Sequence, residues 1–339
     1  MSENTNTTKR RSAIQIMGSL IGLVKPLLHI MLAAIILGTL GYLCAIFLTI
    51  LAGQVIMHGL LTGVAGMIVP VDNMWRVFTP VKTIITVMIV IAVLRGILHY
   101  VEQYCNHFIA FKLLAIIRHK VFAALRKLCP AKLEGRDKGN LISIITTDIE
   151  LLEVFYAHTI SPIAIATLTS IIMVIFIGRY HWLAGVIALV AYLIVGVVIP
   201  MWNGKRGSQK GMEFRTNFGE LNSFVLDSLR GLDETIQYGQ GEKRKEQMSE
   251  HSKNLAGMQE SLSKMEGSQR SFTNMVILLA SFGMLALTIW LYDKGAMGFE
   301  GILTCTIAMM GSFGPVVALS SLSNNLNQTL ASGERVLSL

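Results

Sequence analysis

The sequence predicts an all-α membrane protein with six transmembrane helices and long cytoplasmic extensions. Of its 339 residues, 53% are hydrophobic and 15% are charged, and the mean hydropathy is +0.57. This is the composition of an integral membrane protein rather than of a soluble domain. Six apolar segments are each long enough to cross a bilayer, which takes about 20 helical residues. The four cysteines form no CxxC pair, so neither a disulfide framework nor a zinc site is expected.

The N-terminal segment, residues 1–26, is a polar tail followed by an amphipathic elbow helix over about 12–25, which we expect on the inner membrane surface. Its basic cluster precedes a long apolar helix rather than a small-residue cleavage site, so we expect no cleavable signal. The six-helix unit covers 27–339, and its first span runs from 27 to about 57. This span contains one amide, Gln54, for which an interhelical hydrogen bond and a substrate contact are both open.

The second span is the first part of a helix predicted over 81–128, which ends before Pro130. At 1.5 Å per residue, this helix would be about 70 Å long, more than twice the thickness of the hydrocarbon core. Much of it must therefore stand in the cytoplasm.

A stripe of polar side chains follows the membrane part of this helix. Spacings of four, three and four place them on one helix face; they are Arg95, His99, Glu102 and Asn106. Because ionisable groups are costly in lipid, the stripe should face a protein interior or a water-filled path, and it is a candidate route for cargo. Arg95 and Glu102 could equally neutralise each other or hold a partner subunit.

The remaining spans are predicted over 149–178, 183–229, 238–292 and 299–339, with the cytoplasmic extensions included. Only RYHW separates the third span from the fourth, so these two should form an antiparallel hairpin. After Trp202 the chain is polar for about seventy residues but keeps a helical spacing of apolar residues, which indicates two helical rods. Pro315 should kink the sixth span.

Lysine and arginine are distributed unevenly among the loops. Residues 118–138 contain seven and residues 205–270 contain eleven, whereas the opposite loops contain Arg76, Arg179 and Lys294. The positive-inside rule then places both termini and both long extensions in the cytoplasm. We expect a multi-pass protein of the plasma (inner cell) membrane whose basic residues serve orientation and do not indicate a nucleic-acid partner.

Six spans with long extensions after the second and fourth resemble the membrane half of an ABC exporter, which has a domain-swapped six-helix fold. The run LCPAKLEGRDKGNLISIITTDIELLEVF is similar to the family's first intracellular loop, and LNSFVLDSLRGLDETIQYGQGEKR to its second. The run NQTLASGERVLSL resembles the stretch that precedes the ATPase domain. The matching positions are Pro130, Gly139, Leu141, Asp148, Leu229, Gly231, Glu242, Ala331 and Arg335.

The resemblance implies short coupling helices at about 130–138 and 227–236, which would dock into ATPase domains. The residues concerned are Pro130, Arg136, Gly139, Asp227, Arg230 and Gly231. Gly139 and Gly231 would turn the chain in a left-handed conformation, although both could be ordinary turn residues.

No bond chemistry is expected of this chain itself. It has no GxxxxGK[ST] loop and no recognisable Walker B or signature sequence. The resemblance implies that ATP and Mg²⁺ bind to an ATPase domain, which we expect on a continuation of the polypeptide or on a separate chain. The exporter would then be a translocase that hydrolyses ATP.

A narrower resemblance lies in HYVEQYCNHFIAFKLLAIIRHKVFAALRKLCP and YAHTISP. Both runs are similar to the C-type subunit of the heterodimeric exporter needed for cytochrome bd assembly, a transporter of thiol reductant or haem. The matching residues are Glu102, His107, Leu114 and Arg118, whereas Gln103 and Asn106 depart from the pattern. This resemblance implies a distinct partner subunit and a thiol compound or haem as cargo.

His107 aligns with a histidine proposed to ligate haem, and imidazole is a common axial ligand. A capping or hydrogen-bonding histidine is the alternative. Arg95 and His99 could replace the arginine missing at Gln103 as partners of a haem propionate. No other metal site is expected. Two other functions are open: export of a peptide, lipid or drug, and a membrane binding or sensory module that does not transport.

Overall fold

The structure is a computed structural model that describes residues 13–63, 81–129 and 144–337. These residues form helices and short turns and contain no strand. The α-helices are α1 (Ala13–Leu23), α2 (Leu28–Gly63), α3 (Val81–Leu128), α4 (Ile149–Phe155), α5 (Ser161–Gly178), α6 (Trp182–Leu193), α7 (Ile199–Arg230), α8 (Leu232–Gln237), α9 (Gly241–Asp293), α10 (Phe299–Gly311) and α11 (Gly314–Leu337).

Six stretches within the described ranges are long and apolar enough to cross a membrane. They are Lys25–Met57, Thr83–Leu128, Ser161–Gly178, Trp182–Trp202, Gly241–Asp293 and Phe299–Leu319. The prediction of an all-α membrane protein with six spans is therefore confirmed. The elbow helix α1 was expected on the membrane surface, but it also packs against the other helices, because Ile16, Leu20 and the following Val24 are buried.

Three wide helical turns in the described residues were not predicted from the sequence. Ile144–Asp148, Tyr156–Ile160 and Ile194–Val198 are π-helical. The last two lie just before a proline, Pro162 and Pro200 respectively. A proline inside a helix lacks the N–H for the usual bond, and its ring presses on the carbonyl four residues earlier. A wider turn at that point relieves the contact, so the third and fourth spans pass their prolines without a break.

The third and fourth spans form the predicted hairpin. His181 is extended at φ −162° and caps α6, since its Nδ1 accepts a hydrogen bond from the Leu183 backbone N–H at 3.2 Å. The two helices then approach closely at Gly178 and Gly185. A Cβ added to Gly185 would lie 2.9 Å from the Cα of Gly178 and 3.3 Å from the Val174 carbonyl oxygen. Both of these are backbone atoms, which cannot move aside as a side chain can.

Gly185→Ala is therefore expected to destabilise the hairpin by about 1–3 kcal/mol, the usual range for overpacking. The measurement is the midpoint of thermal unfolding of the detergent-purified protein. Gly283→Ala, on α9, is the matched control, because a Cβ there meets no atom within 4 Å. An equal midpoint for both variants would contradict the close approach.

A kink was predicted at Pro315 in the sixth span. The helix is instead interrupted slightly earlier, at Ser312 and Phe313, between α10 and α11. Pro315 is the second residue of α11, where its missing N–H is harmless. The Tyr192 and Ser312 hydroxyls share a short hydrogen bond, and the Tyr192 ring packs edge-on against Phe313 with centroids 5.3 Å apart. The break is thus held by the fourth span.

The predicted rods are α7 and the first part of α9, joined by the short helix α8. Phe224 on α7 holds two side chains of α9: its ring lies 5.4 Å from that of His251, and the Arg244 guanidinium carbon is 4.9 Å from its centroid. Gly231 ends α7, as expected, but its φ of −95° is not left-handed. The left-handed glycine is Gly239, with φ +65°, in the turn between α8 and α9.

Two buried apolar clusters hold the helices together. One joins α1, the first part of α2, the middle of α3, α4 and the end of α11. The other joins the later part of α2 with α5, α6, α9 and α10. The polar residues singled out on α3 lie beside the first cluster.

Candidate transport site and coupling elements

Glu102 is the buried centre of the polar stripe on α3, with 5% of its surface exposed. Gly38 makes room for it, because a Cβ there would lie 3.0 Å from the Glu102 Cγ. Its carboxylate accepts hydrogen bonds from Asn106 Nδ2 at 2.5 Å and Gln103 Nε2 at 3.1 Å. His99 Nδ1 lies 3.3 Å from the same carboxylate. The Glu102 carboxylate is thus buried, and its hydrogen-bond donors are side chains of its own helix.

Arg95 and His99 continue the stripe but are exposed. Between Ile84 and Leu98 no side chain of α3 is fully buried, so one side of this part of the helix is left uncovered. The described residues offer Arg95 no carboxylate within ion-pairing distance. In particular, the structure does not pair Arg95 with Glu102. Since lipid is unfavourable for arginine, this side chain needs water, a partner or an anionic ligand.

His107 lies on another side of α3, in an open groove of about 480 Å³. The groove is lined by Tyr104, His107, Phe108, Phe111, Lys112 and Ala115, all from this one helix. His107 Nδ1 is 3.9 Å from Glu153 Oε1 on α4, an acidic neighbour that the sequence did not indicate. An exposed imidazole among aromatic rings and one ammonium group could contact a flat, anionic molecule. The described residues contain no cluster of three metal-ligating side chains.

Gln54 is buried, and its Nε2 donates to Glu300 Oε1 at 3.4 Å. The bond joins the first span to the start of α10. Beside it, the two helices touch at Gly53, where a Cβ would lie 2.3 Å from the Ile307 Cδ1. These contacts favour the interhelical interpretation of Gln54 over a substrate contact.

A further buried carboxylate, Asp148, directly precedes α4, at the end of the third span that lies away from the turn at Arg179. It pairs with Arg335 of α11, whose Nε is 3.1 Å from Oδ2 and whose Nη1 donates to Oδ1 at 3.4 Å. Ser332 also donates to Oδ1, at 3.0 Å. Asp148 and Arg335 both lie in runs that resemble the family, but no sequence pattern indicates that they meet.

The tip of the second extension is apolar as well as exposed. Asp227, Arg230 and Gly231 lie at the end of α7, where the Asp227 carbonyl accepts the Gly231 N–H at 2.9 Å. Around them are large exposed apolar side chains, Leu229, Leu232, Ile236 and Tyr238. The other predicted coupling residues, Pro130, Arg136 and Gly139, lie outside the described residues.

The ABC transporter transmembrane region is the family whose sequence model matches residues 27–316. The chain belongs to this family. Six spans and long cytoplasmic extensions agree with an ABC exporter fold, so the resemblance predicted from the sequence is confirmed at the level of the family.

The chain is similar to several curated proteins. A probable ABC transporter ATP-binding/permease protein of Haemophilus influenzae is 42% identical over 97% of this chain and 57% of its own length. The glutathione/L-cysteine transport system protein CydC of the same organism is 21% identical over 73% of this chain and 43% of its own. The lipid A-core flippase of Escherichia coli K12 is 25% identical over 70% and 40%.

The chain therefore spans little more than half the length of the first of these relatives, and less of the other two. Their names describe ATP-binding/permease proteins and an ATP-dependent flippase, whereas the present sequence contains no nucleotide-binding motif. These relatives include both a glutathione/L-cysteine transport system and a lipid A-core flippase, so their names describe different cargoes.

Proposed function

We propose that this chain is the transmembrane half of an ATP-driven ABC exporter that moves a small molecule out of the cytoplasm by alternating access. The observation that carries the proposal is the continuity of the membrane helices with the rods, whose tip presents exposed apolar residues around α8. A rigid helix that is moved at its tip turns as a whole, so closure of docked ATPase domains would reshape the membrane part.

The orientation follows from the basic residues. Both rods, both termini and α8 lie in the cytoplasm, where ATP is available, and the protein lies in the plasma membrane. Asp227, Arg230 and Gly231 would position α8, and Pro130, Arg136 and Gly139 would form the equivalent contact of the first loop. ATP and Mg²⁺ would bind in the ATPase domains.

A second exporter half would complete the cavity. The outer part of α3 leaves apolar side chains uncovered, among them Ile89, Val90 and Val93. Arg95 lies among them, and an arginine is unfavourable in lipid. This surface is therefore better suited to contact a partner subunit and a water-filled cavity than to face lipid alone. The resemblance to the C-type subunit supports a heterodimer.

The cargo we favour is a thiol compound or haem, both of which carry carboxylates. Arg95 and His99 supply exposed cationic groups inside a span, and a guanidinium binds a carboxylate with two parallel hydrogen bonds. His107 would serve haem as a ligand from the aromatic groove. Glu102 and Gln54 would hold the helices that carry these groups.

A lipid is the second candidate cargo. The groove beside His107 combines the aromatic rings of Tyr104, Phe108 and Phe111 with the ammonium group of Lys112. Aromatic rings above a basic side chain suit the acyl chain and anionic headgroup of an amphiphile. This alternative would be favoured if the transporter moved lipid and its ATPase activity were not stimulated by thiol compounds or haem.

The experiment that tests docking at α8 places two charges on its exposed face, Leu232→Asp with Ile236→Asp, in the longer protein with its ATPase domain and partner. We expect loss of cargo-stimulated ATPase activity with little change in thermal stability, because both side chains are exposed. Met212→Asp is the control, since Met212 on α7 is 65% exposed, much like Ile236 at 69%. Stimulation equal to that of the unaltered protein would rule out α8 as the docking element.

A further inference from the structure

Two segments that are far apart in sequence meet at the carboxylate of Asp148, and a third packs beside them. The residue precedes α4, it is buried, and it accepts hydrogen bonds from Ser332 and Arg335 near the end of α11. The third segment is the elbow helix α1, which packs on the same part of α11. A Cβ on Gly333 would lie 3.0 Å from Leu20 Cδ1 and 3.3 Å from Ile16 Cγ2.

The elbow helix is also tied to the third span. The Tyr156 hydroxyl donates to the Leu20 carbonyl at 3.0 Å, and both residues are buried. Leu152 completes the contact from α4, at 3.6 Å from a Cβ on Gly333. The end of α11, the beginning of the third span and the elbow helix are thus one packed unit, with Asp148 as its charged group.

The Asp148–Arg335 pair differs from the Arg118–Glu150 pair in the burial of its carboxylate. Arg118 and Glu150 are 3.5 Å apart, and their side chains are 49% and 64% exposed, so their attraction is weak. Asp148 is 4% exposed, whereas the Arg335 side chain is 45% exposed. Arg335 Nη1 donates to Asp148 Oδ1, and Arg335 Nε lies 3.1 Å from Oδ2 without forming a hydrogen bond with it. Breaking it leaves a buried charge unpaired, which is strongly unfavourable.

The helix that carries Arg335 is held at its other end too. α11 begins next to the break at Ser312, where the Tyr192 hydroxyl bonds Ser312. It then runs 24 residues to Leu337. Because α11 is attached both at the break and at Asp148, a displacement of its C-terminal end would also displace Asp148.

We propose that Asp148 is a positioning residue that passes movement of the ATPase domain from α11 to the third span and the elbow helix. The proposal rests on the proposed function, in which an ATPase domain follows α11. Residues 130–143, the first intracellular loop, join the chain directly before Ile144. Contact with the ATPase domain through this loop and through α11 would therefore converge on one carboxylate.

The test is hydrogen exchange, followed by mass spectrometry, on the longer transporter with its partner in lipid nanodiscs. Uptake is compared between the nucleotide-free state and the state trapped with ATP and vanadate. In the unaltered protein we expect a nucleotide-dependent change in peptides from both 314–337 and 149–160. In Asp148→Asn the change in 314–337 should persist, and that in 149–160 should be lost. Glu150→Gln, two residues away, is the control and should keep both.

A double variant distinguishes loss of the transmitted movement from the effect of leaving one charge of the pair unpaired. It also serves as a second test in case the Asp148→Asn protein misfolds. Asp148→Asn with Arg335→Gln leaves no unpaired buried charge, and we expect it too to lose the response of 149–160. A response that survives in either variant would show that the loop 130–143 carries the movement, and would overturn the proposal. So would the lack of a response at 149–160 in the unaltered protein. Failure of vanadate to trap any nucleotide would instead overturn the proposed ATP-driven function, and this inference with it.

Discussion

Replacing Glu102 with alanine is expected to lower the stability of the protein more than any neighbouring substitution on the exposed side of α3. The change leaves the buried Asn106 amide without its acceptor, and Asn106 Oδ1 already has no partner. An unsatisfied buried group costs about 1–3 kcal/mol, to which the lost packing against Gly38 adds. The measurement is the temperature at which the detergent-purified protein loses its monodisperse chromatographic peak.

Two further variants show which property of Glu102 matters. Glu102→Gln retains a carbonyl oxygen that can accept from Asn106, so we expect a smaller loss than for alanine. His99→Ala removes a side chain that is 65% exposed and should change the temperature little. A Glu102→Ala protein as stable as the unaltered one would show that neither the buried hydrogen bonds within α3 nor the packing of Glu102 against Gly38 stabilises the protein.

Arg95→Gln is expected to weaken the response to an anionic cargo. A hydrogen bond to a charged group contributes about 1.5–3 kcal/mol, which corresponds to roughly a 10- to 100-fold change in affinity. The measurement is the concentration of reduced glutathione, or of haemin, that gives half-maximal stimulation of ATPase activity in the longer transporter with its partner. Arg95→Lys should keep part of the effect, because the charge remains while the planar fork is lost.

Arg179→Gln is the control for Arg95. Arg179 is also an exposed arginine, but it lies in the turn between the third and fourth spans, outside the proposed cavity. It should leave the half-maximal concentration unchanged. If Arg95→Gln does the same, the cargo does not contact Arg95, and a lipid or a neutral molecule becomes the better candidate.

The sequence predicted those features that depend on neighbouring residues. α3 has the predicted bounds, 81–128, because no proline falls within that run. The hairpin of the third and fourth spans follows from a connection too short for any other arrangement. The break in the sixth span was foreseen from Pro315, although it falls before that residue, where Gly314 and Pro315 begin a new helix.

Contacts between distant segments could not be predicted in this way. Gln54 with Glu300 and Asp148 with Arg335 each join residues that no local pattern relates. The polar stripe of α3 shows the same limit. Helical periodicity places Arg95 and Glu102 on one face, but only the neighbouring helices decide that Glu102 is covered while Arg95 is not.

ATP-dependent transport in inverted membrane vesicles that contain the longer protein and its partner tests the proposed export. With ATP outside, where the cytoplasmic face now lies, we expect vanadate-sensitive accumulation of labelled glutathione or haem inside the vesicles. The Leu232→Asp, Ile236→Asp variant should abolish it. The assignment as an exporter half would be contradicted if ATP were hydrolysed without transport of glutathione, haem or labelled lipid. It would also be contradicted if these molecules moved in the opposite direction.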